Sequence, residues 1–164
     1  MKNEEEIIRL FEEKIIGIDD AIHNRKTLYL GDCTFDNIII KDWISSSDII
    51  PLKKIIFFDL LDLQYPHFRQ DIAKLHQDID ASFSEIKYPG RTNWTNIQRN
   101  KDIFKEVFLE ELKKHNPAYI PYHYVLVAYS LMRILPYLPD RDKYDKLYAE
   151  MMDLLRKGDG SYGS

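Results

Sequence analysis

A single cysteine in 164 residues, Cys33, excludes an internal disulfide framework and a multi-cysteine zinc site. A lone thiol also fits a reducing compartment. Glycine and proline are scarce, six and seven, so the chain is neither fibrous nor largely disordered. Neither sign of charge dominates: 23 lysines and arginines against 27 aspartates and glutamates leave a net charge of −4. A broad basic surface for nucleic acid is therefore not expected. The acidic start, Met1 to Glu6, lacks the apolar core of a signal peptide. The longest apolar stretch, Tyr122 to Leu138, is broken by His123, Ser130, Arg133 and Pro136. A bilayer span takes about 20 mostly apolar residues, so this stretch reads as a buried helix. A cytoplasmic chain with no membrane partner is the expectation.

What is present suits one compact domain: 45% hydrophobic and 13% aromatic residues can build a core of ordinary size. Residues 4–26 carry Ile7, Ile8, Phe11, Ile15, Ile18 and Ile22 at steps of three and four, which predicts a leading helix. The texture changes at Thr27-Leu-Tyr-Leu30. A polar loop follows, then Ile38-Ile-Ile40, and after a soluble stretch Ile55-Ile-Phe-Phe58. These short β-branched and aromatic runs predict neighbouring strands with carboxylates at their ends. From residue 70 the pattern is helical almost to the end. Asp71 is placed to cap a helix carrying Ile72, Leu75 and Ile79. Residues 88–93 read as a turn-rich loop. Asp102 opens a helix with Ile103, Phe104, Val107, Phe108 and Leu112 on its apolar face, broken by Pro117 and Pro121. Residues 122–135 form the buried helix, and 141–157 are amphipathic. The fold class expected is α+β and mainly helical, with a small hairpin-type sheet carrying the functional loop. It comprises 1–26 as leading helix, 27–62 as loops and strands, 70–157 as helical subdomain and 158–164 as a tail.

The chemistry concentrates in Leu30-Gly-Asp-Cys-Thr-Phe-Asp-Asn-Ile-Ile-Ile40. Asp32 and Asn37 stand five positions apart on a loop that enters a strand. Phosphoryl transfer uses such a pair: a carboxylate orients or accepts the acceptor proton, and an amide oxygen helps hold magnesium. The next apolar strand ends in Phe58-Asp59, a second carboxylate of the oxygen type that magnesium takes.

These residues resemble the catalytic half of the aminoglycoside phosphotransferase and choline kinase family, whose lower lobe is protein-kinase-like. The family signature is His-Gly-Asp-x-x-x-x-Asn, then a strand ending in Asp, then an Asp opening a Leu-Ala-type helix. The resemblance implies that Asp32 is the catalytic aspartate and that Asn37 and Asp59 hold Mg2+. Asp71, twelve residues after Asp59 and followed by Ile-Ala-Lys-Leu75, matches the helix-opening aspartate. The implied reaction moves the γ-phosphoryl of ATP or GTP to a hydroxyl of a sugar, amino alcohol or aminoglycoside-like molecule. Specific motifs cover about a third of the chain, residues 29–76.

Two departures stand out. Leu30 occupies the family's histidine position, and residues 1–26 leave no room ahead of the loop for a nucleotide-covering upper lobe. The corresponding expectation is a fragment of a longer kinase, completion by a separate N-terminal lobe, or self-association through apolar surface left beside the loop. The alternative is a degenerate kinase lobe or helical interaction domain that binds without catalysis. The tail Gly158-Asp-Gly160-Ser-Tyr-Gly163 spells Gly-x-Gly-x-x-Gly, but it follows a helix and ends the sequence given, a setting unlike that of a phosphate loop. The bland readings are an Asx-rich turn for Asp32 and Asn37, a strand-end cap for Asp59, and Asp62 as the ligand in its place. His23, His67, His76, His115 and His123 show no metal-ligand spacing and read as surface or satisfied core residues. Cys33 reads as a small packed side chain.

Overall fold

A computed structural model describes residues 2–15, 30–40, 55–58, 68–90 and 94–157. These residues are mainly helical, with one two-stranded antiparallel sheet among them. In chain order they form α1 (Lys2–Ile15), β1 (Ile38–Ile40), β2 (Ile55–Phe57), α2 (Phe68–Ala81) and α3 (Phe83–Lys87). These are followed by α4 (Trp94–His115), α5 (His123–Met132) and α6 (Arg141–Arg156). No helix among the described residues is long and apolar enough to cross a membrane.

The centre is α5, whose His123, Val125, Val127, Ala128, Ser130 and Leu131 are all buried. So apolar a helix, with Tyr129 as its exposed residue, must be wrapped on most sides. α6 covers one side with Leu147, Met151, Met152, Leu154 and Leu155, while α2 packs on another. Each such side chain contributes about 1.5–3 kcal/mol by leaving water. Asp140 starts α6 by accepting from the Asp142 and Lys143 amides at 3.0 and 3.2 Å, as a carboxylate at a helix N-terminus does.

α1 docks on α5 and α6 through Ile7, Leu10 and Phe11. Phe11 meets Tyr129 edge-on at 6.5 Å, and the Lys14 ammonium donates to the Lys157 carbonyl at 2.9 Å. Ile8, assigned to the buried stripe by periodicity, is exposed, because a docked helix buries only the arc that meets its neighbours. The expected extension of this helix over 16–26 falls outside the described residues, as do 27–29, Asp59, Asp62, His23, His67, 91–93 and the glycine-rich tail.

Two boundaries differ from the sequence expectation. α4 begins at Trp94, eight residues ahead of Asp102, since a polar stretch without proline or glycine extends a helix as readily as it makes a loop. α2 begins at Phe68, so Asp71 lies within its first turn rather than capping it. α2 stops at Ala81, and Ser82 between it and α3 is left-handed at φ 49°. Asp78 steadies this break by accepting the Ser84 amide at 2.7 Å.

β1 and β2 pair Ile38 with Phe57, Ile39 with Ile56 and Ile40 with Ile55. Three-residue strands are marginal alone, and the pair is extended by the Phe58 amide donating to the Asn37 carbonyl at 3.1 Å. Thus the end of β2 is tied beside the turn that carries Asn37.

Candidate functional site

The loop from Leu30 to Asn37 is held from beneath by α2. Gly31 adopts φ 90°, a conformation that suits a residue without a Cβ. The Leu30 and Gly31 amides donate to the two carboxylate oxygens of Asp71, at 2.7 and 2.9 Å. Sequence reading assigned Asp71 to its own helix end. Its side chain serves the loop instead, across some forty residues. Burial raises the Asp71 pKa above the usual aspartate value, the two backbone amides oppose that rise, and the neighbouring Asp32 charge adds to it.

Asp71→Ala leaves both amides without their acceptor. The expected loss is about 2–3 kcal/mol of stability, with faster hydrogen exchange at Leu30 and Gly31. Urea denaturation together with exchange measurements checks this; unchanged exchange at those two amides contradicts the anchoring role.

Asp32 and Asn37 are brought together as the motif spacing required. The Asn37 side-chain amide donates to the Asp32 backbone carbonyl at 2.9 Å and to its Oδ2 at 3.1 Å. A turn of 3₁₀ helix, Phe35–Asn37, closes the loop and delivers the chain into β1. With Nδ2 turned onto Asp32, the side-chain Oδ1 of Asn37 is the atom of the kind that a hard cation takes. Asp59, the second expected ligand, lies outside the described residues. The residue before it, Phe58, is the one hydrogen-bonded to Asn37.

Two further features support the loop that sequence reading did not assign. Lys74, one turn beyond Asp71, brings its ammonium to 3.1 Å from Asp32 Oδ1. Phe35 meets Phe104 of α4 edge-on at 5.6 Å, and Phe104 stacks on Phe108 at 5.4 Å. An aromatic contact thus ties the loop to a helix distant in sequence. Cys33 is buried as expected, and burial, with Asp71 and Asp32 nearby, pushes its thiol pKa up to about 11. At neutral pH it is a protonated thiol without nucleophilic character.

A second polar cluster lies in the core. His76 Nδ1 and His123 Nε2 both reach Asp80 Oδ2, at 2.9 and 2.8 Å, while the Lys105 ammonium lies 2.6 Å from Oδ1. The Tyr119 hydroxyl is 2.9 Å from His123 Nδ1. Burial drives the His123 pKa down to about 4, with the Asp80 hydrogen bond opposing the fall. Neutral His123 therefore donates through Nε2 to Asp80 and accepts through Nδ1 from Tyr119. Burial pushes Asp80 upward, but the hydrogen bonds from His123 and His76 outweigh it and hold the carboxyl well below its usual range.

The ligand atoms of His76, Asp80 and His123 lie within 4.8 Å of one another, a donor set that a divalent ion could use. The observed geometry serves hydrogen bonding instead: one oxygen takes both rings, and an ammonium supplies the positive charge. Both histidines are fully buried and so belong to the core, and His115 is exposed on α4. Spacing on α2 could have signalled His76 with Asp80, one turn apart; no local pattern pointed to His123. The chain matches no family model, no curated protein and no solved structure.

Proposed function

We propose that this chain is the helical, loop-bearing lobe of a small-molecule kinase of the aminoglycoside phosphotransferase and choline kinase type. The observation that carries this reading is the clasp on the loop. Asp71 grips the Leu30 and Gly31 amides from below while Asn37 turns its amide onto Asp32. That arrangement holds a carboxylate and an amide oxygen side by side at the entry to a strand, as phosphoryl transfer requires.

In this reading Asp32 orients the acceptor hydroxyl and accepts its proton as the oxygen attacks the γ-phosphorus of ATP or GTP. Asn37 and Asp59 hold magnesium, which neutralises phosphate charge when bound. The acceptor is a small hydroxyl-bearing molecule. The walls that grip the base and cover the phosphates come from an upper lobe. Residues Lys2–Ile15 form a helix docked on α5 and α6 and do not supply those walls.

A thermal-shift titration tests the reading. The chain alone is expected to bind Mg·ATP weakly, in the millimolar range, and about fivefold more weakly as Asp59→Ala, because two oxygen ligands are reduced to one. Micromolar binding would contradict the dependence on a second lobe. A response indifferent to magnesium and to Asp59 would remove the metal assignment.

A second reading is a degenerate lobe that binds a protein partner without catalysis. The exposed Phe35, Ile39, Ile56, Phe57 and Phe58 beside the loop favour it, since contiguous apolar surface marks contact sites. The same surface would suit an upper lobe, so the nucleotide titration separates the two.

A further inference from the structure

Asp71 and Lys74 lie one turn apart on α2 and address the same loop, one through backbone amides and the other through a charge. The Lys74 side chain is 13% exposed and that of Asp32 25%, so the ammonium is confined against the carboxylate rather than waving in solvent. The two oxygens of Asp32 are treated differently. Oδ2 receives the Asn37 amide in a hydrogen bond. Oδ1 is enclosed, and the ammonium approaches it at 3.1 Å without hydrogen-bond alignment.

We propose that Lys74 is the phosphoryl-binding residue of this site, bridging the Asp32 carboxylate and a non-bridging oxygen of the terminal phosphate of a nucleoside triphosphate. This rests on the phosphotransferase reading of the loop and adds to it the group that carries phosphate charge. Three arguments support it. Asp32 and Asp71 together make the loop repellent to a polyphosphate, and Lys74 is the cation set against Asp32. An ammonium has three donors, so a bond to Asp32 leaves others for phosphate. Finally, Oδ1 is covered while the ammonium sits on it. A small shift of Lys74 toward a phosphate oxygen, with the carboxylate contact kept, uncovers part of Oδ1 for the proton of an acceptor hydroxyl.

The experiment is an amide NMR titration of the full chain with Mg·ATP and, separately, with magnesium and inorganic triphosphate. Wild type is expected to shift amides within residues 30–40 with both ligands. Lys74→Met should weaken both by about tenfold, while Lys74→Arg, which keeps the charge, stays within about threefold of wild type. Asp32→Asn should bind at least as well as wild type, because it removes repulsion and frees the ammonium. If Lys74→Met does not fold, Lys74→Gln takes its place. Should the charge-free variant bind both ligands like wild type, Lys74 is only the counter-ion of Asp32: the inference falls and the phosphotransferase reading stands. Should neither ligand shift the loop of wild type, that reading falls and the inference with it.

Discussion

Asp80→Ala is expected to cost about 3–5 kcal/mol, a large share of the stability of a chain this size. The Asp80 side chain has 0% exposure and is met by donors from three places: His76 on α2, Lys105 on α4 and His123 on α5. Removing the carboxylate takes away the acceptor shared by two buried rings and an ammonium, and buried donors that lose an acceptor cost more than the bonds they made. Asp80→Asn keeps the shape but loses the charge and replaces one acceptor oxygen by a donor, so an intermediate loss of about 2 kcal/mol is expected. Lys105→Met should cost less than either, because the Lys105 side chain is 35% exposed and water can reach it. Urea denaturation of the three variants gives the ranking. A loss below about 1 kcal/mol for Asp80→Ala would mean that apolar packing alone joins α2, α4 and α5.

Acidification is the second large effect. Stability is expected to fall by about 3 kcal/mol between pH 6.5 and pH 4, from His123 alone. In the folded state burial holds the His123 pKa near 4, against 6.5 in an open chain. Between those values the unfolded chain binds the proton and the folded chain does not, so stability rises with pH across the window. Below pH 4 Asp80 continues the trend. Its folded pKa lies under the ordinary aspartate value, so its contribution is complete above that value and is lost as the acid limit is approached. Urea midpoints measured from pH 7 to pH 4 report the slope. His123→Gln, which can still donate to Asp80 but does not titrate, should flatten it. A flat wild-type profile over this window would show that His123 is charged in the folded state.

Local pattern carried much of the architecture. Ile38-Ile-Ile40 and Ile55-Ile-Phe57 are β-branched or aromatic runs and they pair, while the apolar stretch around Val125, Val127 and Leu131 is the enclosed helix. The pairing of Asp32 with Asn37 was legible for the same reason, since five residues separate them and a short loop can only fold back so far. Where reading failed, tertiary context had overridden a weak local signal. Nothing in Trp94 to Lys101 distinguishes a polar helix from a loop, and an aspartate near a helix start looks like a cap whichever way its carboxylate turns.

The sequence by itself determined most of the helices and both strands among the described residues, and where carboxylate and amide stand close enough to act together. Only the tertiary structure decided that Asp71 clasps the loop 40 and 41 residues before it, that Lys74 faces Asp32, and that Asp80 gathers His123 from 43 residues away and Lys105 from 25. Periodicity reports which face of an element is apolar, but it carries no record of what that face meets. The partners of buried charge are chosen when helices pack, because in a low-dielectric interior each charge must find its counterpart or stay in water.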